Sequence, residues 1–264
     1  MNQTLQRIAQ GEFFLIAGPC VIESEDLCFR VAEKVAELTA RHKIPYVFKS
    51  SYRKANRLSA GSYTGPGLDA GLAVLRKVKE RFGLPVLTDV HETCEIAATA
   101  EVADILQIPA FLCRQTDLVV QAAATGKWVN IKKGQFMAPE DMAKTAAKAA
   151  SDRVMLTERG TTFGYHNLVV DFRSLVIMRA AGYKVVFDVT HSLQLPGGAG
   201  AVSTGQPEFV IPMARAAVAV GIDGLFVETH PNPAEALSDA GAMLPLARMP
   251  ELLDEVIRTR AAVR

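Results

Sequence analysis

The sequence predicts one α/β domain over 1–264, a closed (β/α)8 TIM barrel with a short N-terminal extension. Three observations carry that expectation. Eight short apolar, β-like runs recur in 264 residues. Helical patterns alternate with them, which calls for parallel strands joined by right-handed crossovers. Eight such units in about 250 residues suit a closed barrel. An open doubly wound sheet normally carries a GxGxxG phosphate loop after its first strand, and AGPCVIES is not one.

Residues 1–12 precede the first run and are expected to cover the barrel bottom or an adjoining subunit. The runs are FFLIAGPC, YVFKSS, VLTDVH, ILQIPA, WVNIKK, VMLTER, VVFDVTH and GLFVETH. Each ends on a polar side chain suited to anion, metal or proton chemistry. These are Cys20, Lys49, Asp89 with His91, Gln107, Lys132 with Lys133, Arg159, Asp188 with His191, and Glu228 with His230. A parallel barrel gathers eight such strand ends into one mouth, where its active site lies. Amphipathic spacing predicts helices over 26–41, 68–82, 92–101, 116–125, 140–150, 172–181, 207–220 and 249–263. No Pro/Gly-rich linker divides the chain. The Gly-rich stretches 57–67 and 195–205 fall on the mouth side, as candidate lids or simply as permissive loops.

Composition narrows the function classes. Apolar residues make up 49% and the formal net charge is +1, with no blocks of like sign. That balance offers no steering toward nucleic acid or a membrane surface, so anion binding must rest on local Lys and Arg. No apolar stretch reaches the roughly 18 residues of a transmembrane helix, and MNQTLQRIAQGE lacks the order of a signal peptide. The four cysteines form no CxxC, which suits a reducing cytoplasm. Cys28, Cys94 and Cys113 read as packing residues.

Lys49, Lys54, Arg57, Lys132, Lys133 and Arg159 all lie at or just after strand ends. Such a set fits one or two phosphates and a carboxylate, with Arg supplying fork geometry and Lys point charges. Cys20, His191, Glu228 and Asp239 supply sulfur, imidazole and two carboxylates from the first, seventh and eighth strand ends and the loop beyond. The first and eighth strands are neighbours in a closed barrel. This donor mix suits Zn²⁺ or Fe²⁺ better than Mg²⁺. A packed Cys20 after Gly18-Pro19 and a hydrogen-bonded His191 are the plain alternatives. Asp89 and His91, two apart, point to one side of the third strand. They suit proton transfer or hydroxyl orientation as well as simple strand-end satisfaction. His42 and His166 carry no assignment, and His230, before Pro231-Asn232-Pro233, shapes a turn or backs a metal ligand.

At these residues the chain resembles the 3-deoxy-D-manno-octulosonate 8-phosphate synthase family along nearly its whole length. The matching segments are IAGPCVIES, FKSSYRKANR, LTDVHE, LQIPAFLCRQTDL, NIKKGQF, ERGTTFGY, FDVTHSLQLPGG and ETHPNPAEALSDA. The resemblance implies a (β/α)8 barrel, a homotetramer, and condensation of phosphoenolpyruvate with arabinose 5-phosphate toward lipopolysaccharide. AGPC, rather than an Asn after Gly-Pro, resembles the metal-dependent branch, whose ligands match Cys20, His191, Glu228 and Asp239. The implied ion is divalent, Zn or Fe first, with Mn, Co or Cd as further candidates.

The resemblance also implies roles. Lys49, Lys54, Lys132 and Arg159 hold phosphoenolpyruvate. Asn56 and Arg57 hold arabinose 5-phosphate, and Arg114 reaches its phosphate from a neighbouring subunit. Asp89, His91 and Gln107 line the space between substrates. The implied chemistry is attack of phosphoenolpyruvate carbon 3 on the sugar aldehyde, water addition at carbon 2, and expulsion of phosphate by C–O cleavage. Two departures touch the pentose pocket: Leu58 replaces a small hydroxyl residue and Thr64 replaces an Arg, while Arg53, in place of Asp, offers a compensating charge. A heptulosonate-type synthase using erythrose 4-phosphate is the alternative, disfavoured because KANR stands where that group carries a KPRTS-type segment. A Schiff-base aldolase would need a Lys where Arg159 stands, and a non-catalytic phosphosugar-binding barrel would have lost ligands or cations that this chain keeps.

Overall fold

The computed structural model describes residues 2–57, 59, 61–162, 165–199 and 202–263, with 197–199, 202 and 203 described by backbone alone. Eight parallel strands pair in chain order and close on themselves. They are β1 (Phe14–Gly18), β2 (Tyr46–Lys49), β3 (Val86–Asp89), β4 (Ile105–Ile108), β5 (Trp128–Lys132), β6 (Val154–Glu158), β7 (Lys184–Asp188) and β8 (Gly224–His230). Closure is the parallel pairing of β1 with β8, in register from Phe14 opposite Gly224 to Gly18 opposite Glu228. It sets Cys20, just past β1, beside the end of β8.

Local sequence explains the outer helices. The Ser24 side chain accepts from the Leu27 backbone N–H, and Glu25 and Asp26 occupy the positive first turn of Glu25–Arg41. Gly83, at φ 65°, ends Leu68–Phe82 in the left-handed conformation that glycine adopts freely. The pattern over 92–101 divides into a 3-10 turn, Thr93–Glu95, and a helix, Ile96–Val102. That over 207–220 divides likewise, into Pro207–Phe209 and Val210–Val220.

Two-residue alternation explains how the site is placed. Leu15, Phe48, Leu106, Val129, Leu156, Phe187 and Leu225 face outward into the layer shared with the helices. Phe14, Ile16, Val47, Leu87, Ile105, Trp128, Met155, Val186 and Phe226 point into the barrel, where they pack as one cluster with Leu5 and Ile8. The helix Gln3–Ala9 thus plugs the bottom, which decides the open reading of the first twelve residues. One step further along the same inward rows stand Lys49, Asp89, Gln107, Asn130, Thr157, Asp188 and Glu228, all buried. Each strand therefore carries an apolar half below and a polar half above.

Two stretches differ from expectation. The Gly-rich 195–205 is largely an antiparallel hairpin, Gln194–Ala199 against Val202–Gly205, with residues 200 and 201 outside those described. A second small hairpin joins Thr161–Thr162 to Leu168–Val169. Backbone pairing, which apolar periodicity does not register, holds both. No helix among the described residues is long and apolar enough to cross a membrane.

Candidate active site

The polar ends surround a cavity of about 510 Å³. Its lining carries five cations, Lys49, Lys54, Arg57, Lys132 and Arg159, against three carboxylates, Asp89, Glu228 and Asp239. A chain of net charge +1 thereby builds a locally positive mouth. The Phe226 ring lies against two of these cations: the Lys132 ammonium is 4.2 Å from its centroid and that of Lys49 5.6 Å. A ring face favours cations where water is excluded.

Lys49 donates to Glu228 Oε1 at 2.5 Å and to the Cys20 carbonyl at 2.8 Å, tying β2 to the ends of β1 and β8. Such closeness requires Gly18, because a Cβ there would lie 1.9 Å from the Lys49 carbonyl oxygen. Lys54 stands 3.7 Å from the same Glu228 oxygen. Burial works against its charge, but Cys20, Glu228, Asp89 and Asp239 outweigh burial and hold the ammonium well above its ordinary range. Lys132 and Arg159 are shifted the other way, lowered by burial against the pull of Asp188.

Lys133, one residue past Lys132, faces the opposite way. Its ammonium bonds Thr161 Oγ1 at 2.8 Å and lies 3.5 Å from Glu158, outside the barrel. It is not one of the mouth cations, as period two requires when Lys132 points inward. Arg53 also departs from expectation. It bonds Glu92 at 2.9 Å and lies 3.3 Å from Glu95, so its charge turns away from the pocket.

Cys20, Glu228 and Asp239 place one ligand atom each within 4.8 Å of one another. His191 Nε2 stands beside this group, 3.4 Å from Glu228 and 4.0 Å from Asp239. Two features fit a divalent cation: Glu228 Oε2 is buried without a hydrogen-bond partner, and the sulfur, imidazole and carboxylate donors match Zn²⁺ or Fe²⁺. Burial, then Asp239 and Glu228, push the Cys20 thiol well up; a bound cation reverses that by favouring thiolate. Asp239 sits at φ 46°, a left-handed conformation costly for a non-glycine residue and concentrated at functional sites.

The sequence by itself gives Asp188 no particular role. It accepts from His191 Nδ1 at 2.7 Å and from the Thr190 and His191 backbone N–H groups, and it pairs with Lys132. It thus presents His191 Nε2 to the other three donors, the usual outer partner of a metal-binding histidine. Its sequence signals are its place at the end of the seventh run and the D-x-x-H spacing to His191. Ser238, also unassigned, lies 2.9 Å from the Cys20 sulfur.

Asp89 and His91 meet at 3.0 Å. Burial opposes the Asp89 charge, but the His91 hydrogen bond and charge, with Lys54 and Lys49, hold its carboxyl far below the usual range. Gln107 accepts from Asn130 at 3.0 Å through Oε1, which leaves its NH₂ for the cavity. Arg57 and Asn56 stand at the rim; Arg57 donates to the Tyr63 carbonyl at 3.1 Å and keeps Nη2 without a partner. Leu58 lies outside the described residues. Thr64 uses its carbonyl, accepting from the Lys54 N–H at 2.6 Å, and its side chain does not line the cavity. Arg114 is exposed and away from this cavity, beside the rim residues Phe111 and Leu112. His230 shapes the turn, its Nδ1 accepting from the Asn232 N–H at 3.0 Å.

Known proteins place this geometry. The model of the DAHP synthetase I family matches residues 3–263. A 2-dehydro-3-deoxyphosphooctonate aldolase of Acidithiobacillus ferrooxidans is 58% identical over 247 residues, covering 92% of this chain and 88% of its own. Proteins of the same name from Cyanothece sp. and Bordetella petrii are each 56% identical, covering 97% and 93% of this chain and 95% and 89% of theirs. With that match across nearly every residue, and the cation-lined barrel mouth beneath it, the chain belongs to the DAHP synthetase I family, alongside relatives named for octulosonate 8-phosphate chemistry.

Proposed function

We propose that this protein condenses phosphoenolpyruvate with D-arabinose 5-phosphate and water, giving 3-deoxy-D-manno-octulosonate 8-phosphate and phosphate. The observation that carries the reading is a set of buried polar atoms without hydrogen-bond partners on side chains that line one cavity. Arg57 Nη2, Arg159 Nη1, Asp89 Oδ1 and Glu228 Oε2 are all of this kind. The two free guanidinium nitrogens beside five cations suit the phosphates and carboxylate of two phosphorylated reactants, and the two free carboxylate oxygens suit sugar hydroxyls or a cation.

Lys49, Lys54, Lys132 and Arg159 hold the carboxylate and phosphate of phosphoenolpyruvate, while Asn56 and Arg57 at the rim hold the sugar phosphate. Their charges offset repulsion between the reactants and stabilise the departing phosphate. Asp89, His91 and Gln107 line the space between, orienting the aldehyde and the attacking water. Carbon 3 of phosphoenolpyruvate bonds to the aldehyde carbon, water adds at carbon 2, and the carbon 2–oxygen bond to phosphate breaks. Cys20, His191, Glu228 and Asp239 would hold a divalent cation, Zn or Fe first, which when bound supplies Lewis acidity toward water or the aldehyde.

Exposed Phe111, Phe136 and Tyr165 (56%, 58% and 97% exposed) lie in segments above the strand ends. They support assembly of copies of this chain, a homotetramer in which Arg114 serves a neighbour's site; ultracentrifugation tests it. The four cysteines are all free, in keeping with a reducing cytoplasm.

Phosphate release with phosphoenolpyruvate and either arabinose 5-phosphate or erythrose 4-phosphate tests the activity. Turnover is expected with arabinose 5-phosphate. Preference for erythrose 4-phosphate makes the protein a heptulosonate synthase, and no release with either ends the reading.

A further inference from the structure

Behind the Asp89–His91 pair lies a buried carboxylate to which the reaction assigns no task. Glu95 stands at the end of the 3-10 turn Thr93–Glu95 and is 7% exposed. Its Oε2 accepts from the Tyr52 hydroxyl at 2.7 Å, the His91 backbone N–H at 2.8 Å and the Glu92 backbone N–H at 3.2 Å. Arg53 lies 3.3 Å from Oε1. The same Oε2 stands 3.6 Å from His91 Nδ1, the ring nitrogen with no hydrogen-bond partner. The other ring nitrogen, Nε2, faces Asp89 at 3.0 Å. Tyr52 packs edge-on against the imidazole, with ring centroids 5.8 Å apart at 87°.

One side chain thus holds the His91 backbone, stands behind its outer ring nitrogen and fixes the tyrosine that walls the ring. A carboxylate needed only to cap the start of the turn, as Glu95 does in a capping box with Glu92, would use the two backbone amides and leave Tyr52 and the imidazole alone. We propose that Glu95 is a positioning residue, which with Tyr52 holds the His91 imidazole so that Nε2 stays on Asp89 at the edge of the cavity. The proposal rests on the condensation reading, with Asp89 and His91 between the two substrates. Acceptor oxygens carry the role: Gln at 95 keeps one oxygen for the Tyr52 hydroxyl and the amides, whereas Ala keeps none.

The test compares Glu95→Ala, Glu95→Gln and Tyr52→Phe in wild-type and His91→Ala backgrounds, with metal content and Tm measured for each. Glu95→Ala is expected to lower kcat about tenfold or more, with the KM of both substrates held within about twofold, as loss of an orienting group does. Glu95→Gln should retain most of the rate and Tyr52→Phe lose a few-fold. In the His91→Ala background none of the three should cost more than about twofold further, because groups acting through one another are not additive. Equal losses in both backgrounds, or an unchanged kcat in a folded Glu95→Ala protein, overturn the proposal. Should Glu95→Ala not fold, Tyr52→Phe carries the same comparison. Correlation spectra of ¹⁵N-labelled histidine, assigned with His91→Ala, should show the His91 ring signals moved by Glu95→Ala and kept by Glu95→Gln. Those spectra need no turnover, so they separate failure of this role from failure of the condensation reading itself.

Discussion

Lys49 Nζ lies 2.5 Å from Glu228 Oε1, and the two side chains are 1% and 0% exposed. A charge pair this deeply buried leaves a costly unpaired charge when either partner is removed. The Lys49 contact to the Cys20 carbonyl makes the pair the knot between β1, β2 and β8. Lys49→Met should therefore cost about 3–5 kcal/mol, the range for stranding a buried charge. Denaturant melts at pH 7 measure it; a loss under about 1 kcal/mol would show that Lys54, 3.7 Å away, compensates fully.

The donor cluster predicts metal dependence. Chelation should abolish phosphate release and added Zn²⁺ or Fe²⁺ restore it, while Cys20→Asn should bind Co²⁺ without the thiolate absorption band and depend on metal less. Full activity in a preparation shown by elemental analysis to be metal-free would remove the metal from the proposal.

Arg57 keeps an unpartnered nitrogen at the rim, whereas Lys132 and Arg159 lie deeper. Arg57→Ala should raise KM for arabinose 5-phosphate by about tenfold or more, a loss near the 1.4 kcal/mol of one charged contact. KM for phosphoenolpyruvate should hardly move. Equal changes in both would place the two pockets differently.

Stability should fall on the acid side. Burial opposes the charge of Asp188, but His191 and Lys132 outweigh it and hold its carboxyl low, as His91 does for Asp89. A carboxyl whose folded pKa is depressed stabilises the fold above its unfolded value, about 3.9, and loses that contribution as pH falls toward the folded value. Calorimetry should show a Tm nearly level from about pH 7 to 5 and falling steeply below about 4. Asp188→Asn should melt lower at pH 7 yet lose less between about pH 5 and 3; an unchanged slope would mean that Asp188 adds nothing to the acid transition.

The closeness of Cys20 to Glu228 is legible in the sequence because a closed barrel makes its first and last strands neighbours. Asp188 was not assigned, because an aspartate at a strand end reads alike whether it meets solvent or orients an imidazole. The place of Arg53 is hidden from the sequence for the same reason: its partners Glu92 and Glu95 lie about forty residues along the chain, and only packing of the turn after β3 brings them close.

By itself the sequence determined the eight-fold alternation, the strand ends that carry polar chemistry and the residue types gathered at the mouth. These are local properties, written in apolar periodicity and in the side chain that ends each run. The tertiary structure alone decided which row of each strand faces inward, sending Lys132 to the cavity and Lys133 to Glu158. It also decided that the helix Gln3–Ala9 seals the barrel and that Glu95 stands behind His91. Period two makes neighbours opposite but does not say which is inside. That choice is made by which face the crossover helices cover, since the row packed against them is the outer one.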